Sequence, residues 1–253
     1  MHDAIAKHCD ELNRCNQRGG RMLSVFDLLS AGTLDRDMAS YLMARISTGS
    51  SFMVGSVPGG AGKTTVMCAL LNFVPVDVAL IAATPEAVYE AANANTSPRA
   101  CYVCHEIGSG YYFAYLWANA LRAYCGLSEH GHMLATNLHA DNPKQAREQI
   151  CETNSVPNKY FNKFELLIFL RIENGYLKAK RWIEEVYSSD GSSKHKLIFH
   201  ANDKRTLDEN AKHYLADPEY VNACRDFLTK IPPDVRTIED TRRHVAKFLH
   251  RIK

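Results

Sequence analysis

A glycine-rich segment carries the clearest chemical signal in this 253-residue sequence. It reads Val57-Pro58-Gly59-Gly60-Ala61-Gly62-Lys63-Thr64-Thr65. A triphosphate needs many N–H donors directed at its oxygens and no side chains in their way, and a glycine-rich turn between a strand and a helix supplies both. The segment therefore predicts a phosphate-binding P-loop, whose residues from Pro58 to Thr65 contact a purine nucleotide, ATP or ADP.

Two side chains of this segment have predicted roles. The Lys63 ammonium would reach the β and γ phosphates, and the Thr64 hydroxyl would coordinate the accompanying Mg²⁺. One position departs from the usual GxxxxGK[ST] pattern, because Val57 replaces the first glycine. That position forms the turn and not the phosphate contact, so we expect nucleotide binding to be retained.

A carboxylate at the end of a neighbouring buried strand is the second requirement of such a site, because it holds Mg²⁺ or a water bound to it. Glu106 directly follows the apolar run Cys101–His105 and meets this description. We predict Glu106 as a metal ligand and as a catalytic residue. The alternative is an exposed glutamate at the end of a strand.

Short apolar strands and amphipathic helices alternate around these residues. Nearly continuous apolar runs, as at 78–82, are typical of parallel strands buried on both faces. Thr33 is the predicted N-cap of a helix that ends before Gly49. The predicted strands cover residues 51–55, 78–82, 101–105 and 132–138, and the predicted helices cover 1–18, 25–29, 63–73, 85–94, 110–125 and about 143–151.

Beyond Phe164 the pattern becomes antiparallel. Strands at 166–172 and 177–186 flank Glu173-Asn174-Gly175, whose Asn-Gly pair is a strong hairpin signal, and 196–200 predicts a third strand. The sequence thus predicts an α/β fold with a three-layer core of parallel strands, an antiparallel strand extension and a C-terminal helical tail. The predicted regions are an N-terminal helix and linker (1–24), the nucleotide-binding domain (25–200) and a C-terminal helical region (201–253).

The tail is predicted to be helical over 206–253, with a break at Pro232-Pro233. Its last helix has an apolar stripe and several basic residues: Ile238, Val245, Phe248, Leu249 and Ile252 are apolar, and Arg242, Arg243, Lys247, Arg251 and Lys253 are basic. Such a helix either packs its stripe on the core or lies on an anionic membrane. We expect packing, because the basic residues are few and no tryptophan anchors the apolar face.

Composition excludes several classes of function. A formal net charge of +2 gives no global field for wrapping nucleic acid, so no nucleic-acid partner is expected. No apolar run approaches the roughly 20 residues that span a bilayer, which predicts a cytoplasmic protein with no transmembrane segment. Cys101 and Cys104 resemble a CxxC metal motif, but alternation in a strand would point them to opposite faces, so free thiols are favoured over zinc.

Three stretches together resemble the type II/type IV secretion traffic ATPases, the hexameric motors of secretion systems, pili and archaeal flagella. AGTLDRDMASYLMARISTGSSFMV is similar to the lead-in to this family's P-loop. GHMLATNLHADN, from Gly131 to Asn142, resembles its histidine box, which discriminates the family from other P-loop classes. Leu166–Val186 resembles the strand pair that follows. The resemblance covers roughly 25–187 and implies a RecA-like P-loop NTPase core.

The resemblance also implies roles and partners. In the family the box histidines lie near the nucleotide and couple its state to subunit movement, which makes His132 and His139 candidate sensors and His139 a candidate catalytic residue. The alternative for either is a core or surface histidine. The resemblance implies that the protein forms a homo-oligomer or binds a secretion or pilus machinery. It also implies a cytoplasmic location, at the inner face of the membrane as a peripheral protein. Residues 1–24 are fewer than the family's N-terminal domain, which suggests a solo or degenerate member.

Two departures from the family concern hydrolysis. The family's IEDTPEL is here Ile81-Ala82-Ala83-Thr84-Pro85-Glu86-Ala87, so alanines stand where the water-orienting acidic pair belongs. The family's GEIR is here His105-Glu106-Ile107-Gly108, without the arginine. Glu86 either substitutes for the missing pair or is a solvated glutamate at a helix N-terminus. The expected function is slow ATP hydrolysis coupled to subunit rearrangement. The alternative is a nucleotide-binding regulatory or scaffold module. A third hypothesis, a small-molecule kinase, is disfavoured by the histidine box.

Overall fold

Helices and strands alternate along the chain, which the computed structural model describes over residues 2–16, 19–94, 96–173, 179–201 and 214–252. The helices are α1 (His2–Arg14), α2 (Val25–Ser30), α3 (Arg36–Ser47), α4 (Lys63–Leu71), α5 (Pro85–Asn93), α6 (Ala118–Gly126), α7 (Pro143–Arg147), α8 (Asn158–Asn162), α9 (Pro218–Lys230) and α10 (Ile238–Ile252). The strands are β1 (Phe52–Gly55), β2 (Ala79–Ala82), β3 (Ala100–Ile107), β4 (Tyr115–Leu116), β5 (Met133–Leu138), β6 (Leu166–Glu173), β7 (Lys180–Ser188) and β8 (Lys196–His200).

An eight-stranded sheet organises these elements in the order β2-β3-β5-β1-β6-β7-β8, with β4 paired to the end of β3. The strands from β2 to β6 in this order run parallel, and β7 and β8 add antiparallel pairs. β5 lies between β1, which leads into the glycine-rich loop, and β3, which carries Glu106 near its end. This is the RecA-like strand order with an antiparallel extension, and the predicted fold class is confirmed.

Two hydrophobic clusters cover opposite faces of the sheet. One contains side chains from α1 to α4, α9 and α10, and the other contains side chains from α5 to α8. Cys101 belongs to the first cluster and Cys104 to the second, so the alternation predicted for this strand is confirmed. Helices therefore pack on both faces of the sheet, which gives the predicted three layers.

The predicted helix at 110–125 is wrong in its first half. Residues 108–114 form a loop, β4 pairs with the end of β3, and α6 begins only at Ala118. Ala114 and Ala118 have φ angles of 54° and 49°, which a continuous right-handed helix excludes. The helical spacing of apolar residues was misleading because Leu116 is buried in β4 and Leu121 in α6.

The predicted N-cap of the third helix is two residues early. Asp35 caps α3 instead, because its carboxylate accepts a hydrogen bond from the Met38 amide at 2.8 Å. Thr33 is buried, and its carbonyl accepts a hydrogen bond from the Ile183 amide at 2.8 Å. Threonine and aspartate are both good N-cap residues, so the local sequence does not decide between the two positions.

The antiparallel extension follows the prediction, since β6 and β7 pair from Leu166↔Ser188 to Glu173↔Lys180. The predicted Asn174-Gly175 turn and the first part of the predicted helical tail, 206–213, lie outside the described residues. α9 and α10 flank the predicted break at Pro232-Pro233. Within the described ranges, no helix is long and apolar enough to cross a membrane.

α10 packs against the core as predicted. Val245 and Leu249 are buried in the same cluster as α4, and Phe248 stacks on Phe227 of α9 with ring centroids 4.5 Å apart. Arg242 is also buried, at 3% exposure, and donates hydrogen bonds to three backbone carbonyls at and beyond the C-terminal end of α4. The tail therefore supports the helix that begins at the glycine-rich loop.

Candidate functional site

The glycine-rich loop connects β1 to α4 at the carboxyl edge of the parallel strands. Gly60 and Gly62 have φ angles of 81° and 97°, a left-handed conformation that favours glycine, and Gly62 is the N-cap of α4. The φ angle of Val57 is not positive, so a side chain at this position causes no backbone strain. This explains why the loop accepts valine where the usual pattern has glycine. The first turn of α4 directs unpaired amides toward the loop, as phosphate binding requires.

Lys63 lies at the centre of the site and is 8% exposed. Its ammonium donates to the Ser56 carbonyl at 3.2 Å and lies 3.6 Å from Glu106 Oε2 and 3.3 Å from His139 Nδ1. The structure thus brings together three residues that the sequence predicted separately. A buried cation beside a loop of backbone donors is suited to an anionic ligand.

Glu106 is buried near the carboxyl end of β3, and is not the exposed glutamate of the alternative interpretation. Burial raises the pKa of its carboxyl group, and the opposing effects of the Lys63 and His139 charges do not cancel that rise. Among the described residues, no donor lies within hydrogen-bonding distance of the buried Oε1. A buried carboxylate oxygen that needs a partner fits a metal ion or a metal-bound water.

Asn137 is a site residue that the sequence reasoning missed. It is fully buried in β5, and its Nδ2 donates to the His105 carbonyl at 2.8 Å and to Thr64 Oγ1 at 3.4 Å. It therefore holds the predicted metal-binding hydroxyl against the strand that carries Glu106. The signal was present, because a polar side chain inside an otherwise apolar buried strand requires a specific partner.

The two histidines of the histidine box lie at opposite ends of β5. His139 follows its carboxyl end, 4.0 Å from Glu106, and its Nδ1 also lies 3.1 Å from the Val57 carbonyl. His132 precedes its amino end, where Ala100 donates its amide to Nδ1. Since β5 spans six residues, the histidines are roughly 20 Å apart. His139 therefore lies beside Lys63 and Glu106, whereas His132 lies away from the glycine-rich loop, and its sensor role stays a prediction.

Asp141, two residues after His139, also contacts the loop. Its Oδ1 accepts a hydrogen bond from the Val57 amide at 2.8 Å. Pro58 and Gly59 lie exposed at the tip of the loop, and Thr65 is half-buried in the first turn of α4. The segment after β5 therefore contacts the start of the loop through two side chains, those of His139 and Asp141.

Ala82 and Ala83, which stand where the family has its acidic pair, lie at the carboxyl end of β2. Ala82 pairs with Val103 in β3, and Ala83 is completely buried in the cluster of the α5 face. A carboxylate at Ala83 would be desolvated, so the surroundings are adapted to an apolar residue there. Glu86 is exposed in the first turn of α5, whose N-cap is Thr84, as expected for a solvated helix N-terminal glutamate.

A buried thiol–imidazole contact lies directly behind the site. Cys15, just after α1, has its Sγ 3.1 Å from Nε2 of His105, the residue before Glu106. Hydrogen bonds from Cys68 and His105, opposed by burial, lower the pKa of the Cys15 thiol to about 6. All eight cysteines are free, and the described part of the chain has no group of three or more metal-binding side chains.

Comparison with known proteins gives likenesses among solved structures but none by sequence. No protein-family model matches the chain, and no curated protein sequence matches it. Among solved structures, it is similar to the VirB11 ATPase from the Brucella suis type IV secretion system in complex with sulphate, with a TM-score of 0.45 and 19% sequence identity. The match covers 65% of this chain and 54% of that chain, so the matched region spans about half the length of the VirB11 ATPase.

Proposed function

We propose that this chain binds ATP or ADP together with Mg²⁺ in the loop between β1 and α4. The observation that carries the proposal is the convergence of the buried Lys63 and Glu106 with the exposed His139, which come from three separate elements. A lysine at the start of a helix after a glycine-rich turn supplies a cation and backbone donors for phosphate oxygens.

The residues present also fit Mg²⁺. Thr64 supplies a hydroxyl that Asn137 holds in place, and Glu106 supplies a buried oxygen without a donor among the described residues. These are the hard oxygen ligands that Mg²⁺ prefers. When bound, the ion would neutralise charge on the β and γ phosphates. The Lys63 ammonium would then contact the phosphates in place of Glu106.

We expect the protein to bind ADP and ATP but to discriminate strongly against AMP. The loop amides and Lys63 recognise the β phosphate, which AMP lacks, so AMP should bind on the order of 100-fold more weakly. Isothermal titration calorimetry with the three Mg²⁺-containing nucleotides measures this ratio. AMP binding as tightly as ADP would contradict the proposal, because recognition would then rest on the nucleoside.

Hydrolysis, if it occurs at this site, would use Glu106. Its carboxylate lies beside Lys63, and its raised pKa indicates a group that accepts a proton more readily than an exposed glutamate. Ala83 is buried where the water-orienting carboxylate would be expected, so we expect a low rate of ATP hydrolysis. The same observation favours the second candidate, a nucleotide-binding regulatory module. Coupling to movement of neighbouring subunits, which the sequence resemblance implies, would involve His139.

Replacing Glu106 with glutamine should reduce ATP turnover on the order of 100-fold, because it removes the base without changing the size of the side chain. Affinity for ADP measured without Mg²⁺ should not fall, since the loop remains intact and Glu106 acts on the nucleotide through the metal. The matched control is Glu86→Gln, which alters an exposed glutamate and should leave turnover unchanged. Steady-state phosphate release measures both. Loss of turnover in Glu86→Gln alone would assign the role to Glu86, and no release above background in the wild type would favour the regulatory module.

A further inference from the structure

Arg181 reaches the glycine-rich loop from a distant part of the chain. It belongs to β7 in the antiparallel extension, and its Nε donates to the Gly60 carbonyl at 2.8 Å. Its Cδ also lies 3.6 Å from the point that a β-carbon on Gly62 would occupy. The Arg181 side chain therefore donates to the loop at Gly60 and lies next to Gly62.

A β-bulge determines which face of β7 carries Arg181. The register of β6 and β7 shifts because Leu170 pairs with Ile183 and Phe169 with Glu185, which leaves one extra residue, Glu184, in β7. Arg181 lies two residues before Ile183 and so on the same face. Ile183 is buried in the cluster that contains α4, so this face is the one that meets the helix and its loop.

The hydrogen bond to Gly60 constrains one peptide group of the loop. In a planar trans peptide the carbonyl and the following N–H point in opposite directions. When Arg181 holds the Gly60 carbonyl on its own side, the Ala61 amide must point away from Arg181. We propose that Arg181 is a positioning residue, which orients the Gly60–Ala61 peptide so that the Ala61 amide is presented to phosphate; this rests on the proposed function.

The orienting role applies equally to ADP and ATP, because the loop amides serve the β phosphate that both contain. The positive charge of Arg181 adds to that of Lys63 and favours any phosphate ligand. Arg181 is half-buried, and its contact with the loop is to backbone, so its loss leaves the buried clusters of the fold intact. Nucleotide affinity, and not the stability of the ligand-free protein, is therefore the property that it controls.

The test is calorimetric titration of ADP–Mg²⁺ and ATP–Mg²⁺ into the wild type, Arg181→Met and Arg181→Lys, with melting curves of each ligand-free protein. Arg171→Met is the matched control, since Arg171 is an exposed arginine on the adjacent strand β6. We expect Arg181→Met to weaken both nucleotides by about tenfold, the loss of one charge-assisted hydrogen bond. Arg181→Lys should recover part of the affinity, and Arg171→Met should bind like the wild type.

Each other outcome overturns the inference in a distinct way. Wild-type affinity in Arg181→Met overturns the inference alone, and a lowered melting temperature with unchanged affinity shows a purely structural contact. Weakening of ATP without weakening of ADP replaces the positioning role with a direct contact to the γ phosphate. Absence of nucleotide binding by the wild type overturns the proposed function and this inference with it.

Discussion

Replacing Arg242 with methionine should destabilise the protein by about 3 kcal/mol, the cost of leaving buried backbone carbonyls without donors. Arg242 donates to the carbonyls of Asn72, Val74 and Pro75 at 2.8, 2.5 and 3.3 Å. These carbonyls lie at and just beyond the C-terminal end of α4, where a cation also interacts favourably with the helix dipole. For a chain of this length, the expected fall in melting temperature is roughly 6–12 °C.

Burying the charge of Arg242 costs free energy, which reduces the stabilisation from its hydrogen bonds but does not abolish it. Burial lowers the pKa of the Arg242 guanidinium to about 10, which shows that the charged form is desolvated in the folded protein. The group remains protonated at neutral pH, and its three hydrogen bonds offset the desolvation. Methionine has a similar length and no charge, so the variant removes the donors without opening a large cavity.

Arg243→Met is the control for this prediction. Arg243 is the next residue of α10, its side chain is 42% exposed, and it pairs with Asp240 on the surface. Surface ion pairs contribute about 0–1 kcal/mol, so this variant should melt close to the wild type. Thermal unfolding followed by circular dichroism separates the two. Equal melting temperatures for Arg242→Met and Arg243→Met would show that α10 does not support the end of α4.

Much of the site could be predicted from sequence because its residues lie close to chain features with strong local signals. Lys63 and Thr64 are fixed by the glycine-rich motif, and Glu106 and His139 lie at or next to the carboxyl ends of apolar strands. Parallel strands bring those ends to the same edge of a sheet, so a correct strand assignment is enough to bring the residues together. The parallel core of the fold was predictable for the same reason.

Asn137 had a local signal, as a polar residue in an apolar buried strand, but other features depend on contacts that no local pattern encodes. Arg181 reaches the loop only because a bulge at Glu184 sets the face of β7, and bulges have no reliable sequence signature. The predicted helix at 110–125 was wrong over 110–117 because the spacing of apolar residues suggested a helix, while tertiary pairing of β4 with β3 decided the conformation.

Replacing Lys63 with alanine should abolish measurable binding of ATP–Mg²⁺, a loss of a few kcal/mol or on the order of 100- to 1,000-fold in Kd. The ammonium is buried, so water cannot replace it at the β and γ phosphates. Its removal also leaves the Glu106 carboxylate without its cation, and the pKa of Glu106 should rise further. The loss of the ammonium weakens phosphate binding, and while Glu106 remains ionised its unpaired negative charge also repels the phosphates.

Lys144→Ala is the matched control, because Lys144 lies in α7 three residues after Asp141 and its side chain is 85% exposed. It removes one positive charge near Asp141, which contacts the loop, but outside the buried site. Melting curves of both ligand-free variants establish that each is folded, so a loss of affinity in Lys63→Ala reports the site itself.

The most direct test of nucleotide binding at this loop is calorimetric titration of ATP–Mg²⁺ into the wild type, Lys63→Ala and Lys144→Ala. We predict one nucleotide bound per chain in the wild type and in Lys144→Ala, and at least about 100-fold weaker binding in Lys63→Ala. Binding of ATP–Mg²⁺ by Lys63→Ala with wild-type affinity would contradict the central claim that Lys63 and the glycine-rich loop form the phosphate site.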